Sequence, residues 1–296
     1  MILIAGGSGF VGRALCEKLC QIEAEIVALD LERVETKQFE SLVSDITDKA
    51  HLEGVFKEYP FKSVVNVAAV LFSATKVDPA HAFLVNVLGS FNLLEVGRAN
   101  GVNRFIFGSS YSVLGEHATS QESVDESFPI QPVEFYGETK RFIERMGMVL
   151  AECYGFEFVS ARMPMIVGPG EPTVTSGWRA DMFNLLTKGG KLHINYAADE
   201  VLPLAHYMDI ADAMTKIVVA ERLEHEIYHL PYEHWRVSDL GRELEAIGTG
   251  LQVEFGDRIV EGAPINISWE RFRQEFDGEA PNLRKRLVEH IDSSEY

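Results

Sequence analysis

Cysteine is scarce in this chain of 296 residues, with only Cys16, Cys20 and Cys153 present. An odd number without metal-ligand spacing argues against a disulfide framework and against a cysteine-built zinc site. Cys16 and Cys20 stand one helical turn apart, so packing is their expected role. Positive charge is also in short supply: 27 Lys and Arg against 45 Asp and Glu leave a net charge of −18. Such a surface disfavours nucleic acid and anionic membranes as partners. No long apolar span, repeat or low-complexity tract stands out. The chain opens directly into a strand-like run, so a soluble cytoplasmic protein without a leader is expected.

What is present is concentrated in the first thirty residues. A short apolar run, Met1 to Ala5, suits a buried parallel strand. Gly6, Gly9 and Gly12 follow at a regular stagger, and from Phe10 the apolar positions take helical spacing. A second apolar run, Ile26 to Leu29, ends on Asp30, eighteen positions after Gly12. Strand, glycine turn, helix, strand and acid form the dinucleotide-binding fingerprint in its required context. The glycines let the backbone approach a pyrophosphate, which the free amides and dipole of the helix start then bind. A carboxylate at Asp30 accepts both ribose hydroxyls and repels a 2′-phosphate, so NAD is favoured over NADP. Arg33 nearby is the one feature that leans the other way.

The rest of the first half keeps a βα rhythm. Asp45-Ile46 precedes a helix over Lys49–Glu58 and reads either as an adenine contact or as part of a helix cap at Thr47 or Asp48. Strands are expected at 63–69, 102–109 and 156–162, with helices at 78–100 and 134–154. From Met163 to Gly170 two prolines and two glycines interrupt the pattern. These spacings predict an α/β fold: a Rossmann doubly wound parallel sheet with a smaller, mixed α/β C-terminal substrate domain. The expected division is 1–165 and 166–296, with the chain crossing back to the first domain around 204–228.

Tyr136-Gly-Glu-Thr-Lys140 is the second anchor. Four positions apart on a helix, the phenol and the ammonium share a face. A cation there favours the tyrosinate, which must gain roughly 4 kcal/mol to act as a base near neutral pH. Ser109 and Ser110 close the preceding strand, where ligands bind in open α/β sheets. Ser110 can hold a substrate oxygen as charge develops on it; a plain strand-end turn is the other reading.

In these segments the chain resembles the extended short-chain dehydrogenase/reductase family, also called the NAD-dependent epimerase/dehydratase family. The resemblance is carried by GGSGFVG (6–12), Asp30, Asp45-Ile46, NVAA (66–69), the run from Asn86 to Gly89, FIFGSSYSVLG (105–115), YGETK (136–140) and RMPMIVGPG (162–170). LAHYMDIADA (204–213) and EIYHLP (226–231) extend it loosely. It implies Tyr136 as acid/base, Lys140 as its electrostatic partner and ribose holder, Ser110 as substrate-oxygen donor and Asn86 as support for the site. The implied cofactor envelope is Gly6, Gly9, Phe10, Val11, Gly12, Asp30, Asp45, Ile46, Val67, Ala68, Ala69, Ser109, Tyr136, Lys140, Met163 and Met165. Lys76, Ser110, Tyr111, Ser112, Trp178 and Arg179 border the expected substrate pocket. A cation at 76 or 179 would hold a substrate carboxylate or remain a solvated surface charge. The resemblance further implies a homodimer, built by pairing the helix from Asp78 with the one carrying Tyr136.

The departures bear on substrate. Asn66 stands where many members have histidine, and Met165 where nucleotide-sugar enzymes place an asparagine. Leu202-Pro203-Leu204 replaces the stretch in which such enzymes carry an arginine ahead of the acid matching Asp209. With those contacts missing, the expected function is NAD-dependent hydride transfer on a small carbohydrate-like substrate: a sugar, sugar acid or polyol. A nucleotide-sugar epimerase or dehydratase with tightly held NAD is the alternative, and a non-catalytic dinucleotide sensor a third. His225-Glu-Ile-Tyr-His229 matches a zinc-protease pattern but alternates like a strand and runs into Pro231. Extended, its histidines would be roughly 13 Å apart, so no metal is expected.

Overall fold

The computed structural model describes residues 1–115, 123–169, 177–260 and 266–294. Gly170, the last residue of the 162–170 motif, lies outside them, as does part of the loop after Gly115. In chain order the first half holds β1 (Ile2–Ala5), α1 (Phe10–Gln21), β2 (Ile26–Asp30), β3 (Glu40–Val43), α2 (Lys49–Glu58) and β4 (Ser63–Asn66). Then come α3 (Phe72–Val77), α4 (Pro79–Phe83), a π-helical segment Leu84–Gly89, α5 (Ser90–Ala99) and β5 (Arg104–Ser110). After a 3-10 turn at Tyr111–Val113 follow α6 (Phe135–Tyr154), β6 (Glu157–Met163) and β7 (Met165–Val167). The remainder comprises α7 (Gly177–Lys188), β8 (Gly190–Tyr196), β9 (Val201–His206), α8 (Tyr207–Val219), β10 (Ile227–His229) and β11 (Glu233–Arg236). It continues through α9 (Val237–Ile247), β12 (Leu251–Arg258), α10 (Glu270–Phe276) and α11 (Leu283–Ser294).

Seven strands form one parallel sheet in the order β10-β6-β5-β4-β1-β2-β3. The order reverses between β1 and β4, which opens a crevice at their C-terminal ends. One face of the sheet is covered by α1 and α8, whose Leu15, Leu19, Ile210, Met214 and Ile217 join Ile4, Val65 and Ile106 in one core. On the other face α2, α5 and α6 pack Leu52, Phe56, Leu93 and Ile143 against Leu3, Leu29 and Phe105. A third core joins α7, α9 and α11 to β8 and β9 through Phe183, Leu240, Leu287, Ile194 and Leu204. Thus α8 and β10 belong to the layers of the large sheet although they follow β9 in the chain.

Several elements escaped the sequence reading. β3 lay in a polar stretch because on this edge strand only Ser41 is buried and Leu42 half-buried, while Glu40 and Val43 are exposed. β9 was masked by Pro203, since proline argues against a central strand; here β9 lies between β11 and β7. The expected helix over 78–100 is three pieces, with the π-helical turn around Asn86. Taken as one run, Pro79–Ala99 is long and apolar enough to cross a membrane, contrary to the expectation that no such span exists. More than half of its most apolar window is buried in the protein, so it is a core helix. Cys16 is buried and Cys20 half-buried, both free.

Candidate active site

The glycine turn sits where β1 meets the crevice. Gly6 has φ of +87°, and a Cβ on it would come within 2.6 Å of the Ala68 amide at the exit of β4. A Cβ on Gly12 would reach 2.0 Å from the Gly6 carbonyl oxygen, so the start of α1 lies directly on the turn. Gly9 is different: a Cβ there would meet only the Gly6 oxygen, at 3.2 Å, and would otherwise project into open space. Gly9 is also the cap of α1, which has no side-chain cap and no acid in its first turn. The amides of that turn are therefore available to an anion.

Asp30 closes β2 beside this turn. Its Oδ2 accepts from the Ser8 amide at 2.9 Å and its Oδ1 from the Leu31 amide at 2.7 Å. Two amides fix its direction and leave acceptor capacity for ribose hydroxyls. Asp45 Oδ1 accepts from the Thr47 amide, and Asp48 caps α2 through the His51 amide. Ile46 is buried against Gly89, which puts its side chain in the core rather than over an open face. Val67, Ala68 and Ala69 are half-buried at the crevice floor; Met163 ends β6, and Met165 lies on β7 against the third core. Phe10 packs on Tyr207 with ring centres 4.7 Å apart and tilted, while Val11 packs on the first core. Buried Ser109 Oγ has no hydrogen-bond partner among the described residues. The open cap, the empty direction at Gly9, the held Asp30 and this orphaned hydroxyl fit a dinucleotide.

Tyr136, Lys140 and Ser110 do come together. Gly137 explains how: its Cβ would lie 2.4 Å from the Ser112 carbonyl, so only glycine lets the first turn of α6 seat on the turn after β5. The Ser110 hydroxyl lies close enough to the Tyr136 phenol to pull its pKa down. Ser110 Oγ also donates to Ser112 Oγ at 3.1 Å and accepts from the Ser112 amide. Lys140 is buried, with Nζ donating to the Gly108 carbonyl at 2.7 Å and lying 5.7 Å from the Tyr136 ring centre. Asn86 accepts from the Val70 amide at 2.7 Å and donates to the Val70 carbonyl and to Thr139 Oγ1. It ties the loop after β4 to α6, and the π-helical turn is what aims it there.

Burial pushes the Tyr136 phenol up to about 12; the Arg179 guanidinium and then the Ser110 hydroxyl pull against it. The sequence assigned that pull to Lys140. In the structure burial brings Lys140 down to about 7, with Glu144 opposing, so it is a weak cation near neutrality. The charge beside the phenol is Arg179, whose Nη1 donates to the Ile166 carbonyl at 3.0 Å. Burial lowers the guanidinium's own pKa, Tyr196 and Tyr136 raise it, and Arg258 opposes them.

The remaining expected pocket residues divide. Tyr111 is 3% exposed, donates to the Leu230 carbonyl and packs on His229 and Tyr232, so it serves the core rather than a substrate. Trp178 is likewise buried, edge-on to Tyr196. Lys76 pairs with Glu134 at 3.2 Å and lies over Phe72. Phe72, Tyr196 and Arg258 were missed. The Arg258 guanidinium lies between the rings of Phe72 (5.8 Å) and Tyr196 (5.2 Å), and Phe72 meets Tyr136 edge-on. No motif marks them; Arg258 ends β12.

The zinc-protease pattern is dismantled by the fold. Ile227–His229 is a strand, and both ring nitrogens of buried His229 face protein partners, Arg162 and the Ser268 carbonyl.

Among solved structures the fold is similar to a GalE-like L-threonine dehydrogenase from Cupriavidus necator, with a TM-score of 0.88, 20% identity and 98% of each chain covered. It is also similar to UDP-glucose 4-epimerase from Thermus thermophilus in complex with NAD, with a TM-score of 0.85 and 24% identity over 98% of this chain and 97% of that one. In sequence it is 30% identical to UDP-glucose 4-epimerase of Bacillus subtilis over 158 residues, 49% of this chain and 46% of that protein. Against mitochondrial L-threonine 3-dehydrogenase of Bos taurus it is 24% identical over 292 residues, 93% of this chain and 77% of that protein. The chain spans about half the length of the epimerases it matches. Residues 2–230 match the model of a single family, in accord with the glycine turn, Asp30 and the Ser110, Tyr136 and Lys140 set: this chain belongs to the NAD dependent epimerase/dehydratase family.

Proposed function

We propose that the protein is an NAD-dependent dehydrogenase that oxidises a secondary alcohol on a small, carboxylate-bearing substrate, a sugar acid or hydroxy acid. The observation that carries this reading is Arg179, a half-buried guanidinium whose charge reaches the phenol of Tyr136. A cation there binds a carboxylate next to the reacting carbon and favours the tyrosinate at the same time. The long alignment with a threonine dehydrogenase supports outright oxidation.

The chemistry of the chain's own groups follows from their placement. Bound NAD supplies the hydride acceptor. Ser110 holds the substrate oxygen, and Tyr136 takes the hydroxyl proton as the carbonyl forms. Asn86 keeps the loop after β4 in register with α6. Gly6, Gly9 and the first turn of α1 hold the diphosphate, and Asp30 the ribose.

The test is a panel of sugar acids, hydroxy acids including L-threonine, neutral polyols and nucleotide-sugars, read by NADH absorbance. Net NADH from acids carries the reading; epimerised nucleotide-sugar without net NADH would favour the epimerase that half-length relatives suggest. Arg179→Ala is expected to raise KM for acidic substrates about 100-fold while KM for neutral alcohols is little changed, the loss of a charge-assisted bidentate contact; kcat should fall for both classes, because the phenol loses its cation. Equal KM values for both classes would remove the carboxylate clamp.

We also propose a homodimer. On α6 the exposed apolar residues Phe135, Phe142 and Val149 recur every seven residues, and Phe83, Leu84 and Leu88 are exposed on the neighbouring helix. An apolar stripe on two adjacent helices fits a second copy related by a two-fold axis. Phe142→Glu is expected to sediment as a monomer; an unchanged sedimentation coefficient would refute this interface.

A further inference from the structure

Arg162 lies on β6 with its side chain fully buried and has no part in the chemistry above. Its Nε and Nη2 donate to Glu144 Oε1 at 3.0 Å and Oε2 at 2.8 Å, a bidentate pair with both side chains 1% exposed. Ser160 Oγ donates to Glu144 Oε1 at 2.7 Å. The remaining Nη1 lies 3.3 Å from Nε2 of His229, the residue paired with Arg162 in the sheet. His229 Nδ1 is 2.8 Å from the Ser268 carbonyl. A carbonyl only accepts, so Nδ1 carries the proton and Nε2 accepts from the arginine.

Glu144 follows Lys140 by four residues on α6, the spacing at which a lysine and a glutamate meet on one helix face. Both are buried, where opposite charges attract strongly. Yet the lysine turns instead to the Gly108 carbonyl. Both oxygens of Glu144 are already held, Oε1 by Arg162 and Ser160 and Oε2 by Arg162. We propose that Arg162 is a positioning residue for Lys140: by occupying Glu144 it withholds the carboxylate one turn away and leaves the lysine at the floor of the cofactor crevice. The inference rests on Lys140 belonging to the dehydrogenase site described above.

Without Arg162, Glu144 turns to the lysine, draws Nζ from Gly108 and keeps its proton on to higher pH. The ionisable groups around this lysine are Tyr136 and Glu144 on α6, Arg162 behind Glu144 on β6, and Arg179 beyond Tyr136 on α7. Of these, Glu144 is the charge that raises the lysine's pKa against burial.

The test uses full-length protein labelled with 15Nζ-lysine, the Lys140 signal being identified by its loss in Lys140→Met. Arg162→Met is expected to raise the pH at which Lys140 titrates by about one to three pH units and to weaken NADH binding. Glu144→Gln combined with Arg162→Met removes both charges and is expected to return the titration and the binding toward the wild type. An unmoved titration in Arg162→Met, or a double variant as displaced as the single one, overturns the proposal. Should Arg162→Met fail to fold, Arg162→Lys keeps a cation that engages one oxygen of Glu144 at a time. Its Lys140 titration is expected between the two, and an unmoved one also overturns the proposal. Neither readout needs a substrate, so the outcome stands whether or not the substrate panel yields NADH.

Discussion

Tyr136→Phe is expected to lower turnover by about 10³-fold, the scale of a lost general acid/base. NADH affinity should stay within about threefold, because the ring and its packing are retained and only the proton acceptor is removed. Burial holds the phenol up to about 12, against Arg179 and Ser110. A base with so high a pKa is mostly protonated at neutral pH. Alcohol oxidation should therefore accelerate as pH rises, since the tyrosinate fraction grows, while carbonyl reduction, which needs the phenol, should not. Phenylalanine at 136 should flatten the rise. Initial rates from pH 6 to 10 in both directions check this. A variant that kept most of its turnover, or kept the slope, would move the proton transfer to another group.

The second large effect separates two glycines only three residues apart. Gly12→Ala is expected to destabilise the fold by about 3 kcal/mol, at the upper end for overpacking. The added carbon would sit 2.0 Å from the Gly6 carbonyl oxygen, a backbone atom that cannot swing aside. Gly9→Ala should leave stability within about 1 kcal/mol, since its carbon meets one atom at 3.2 Å. It should instead weaken NADH binding about 100-fold, because the methyl stands where the phosphates must approach the amides of α1. Urea unfolding and calorimetric titration distinguish the two. If Gly9→Ala bound NADH as tightly as the wild type, the diphosphate would not lie on this helix start.

Local spacing carried much of this protein on the surface of its sequence. The run from Met1 to Asp30 was readable because strand, turn and helix are each set within a few residues. Tyr136 and Lys140 share a helix face for the same reason, and Ser110 follows from the rule that ligands collect at strand ends. Gly137 passed unremarked in the sequence; its use, seating α6 on the turn after β5, appeared only in three dimensions.

The contacts between distant segments were not readable. Which cation acts on the phenol depended on where α7 and β7 carry Arg179, which donates to the Ile166 carbonyl and pulls the phenol's pKa down. Burial, a property of the assembled fold, weakened Lys140 as a cation. Arg258 reaches the pocket across more than a hundred residues from Tyr136, carried there by β12, and stands between two rings that no motif links. Tyr111, adjacent to Ser110, went into the core because its hydroxyl found the Leu230 carbonyl. Sequence by itself determined the glycine turn with its acid and the shared helix face of Tyr136 and Lys140, because periodicity and turn chemistry act over a few residues. Tertiary structure alone decided the charge around that tyrosine and the shape of the substrate pocket, because Coulombic and desolvation energies depend on distances that no spacing along the chain encodes.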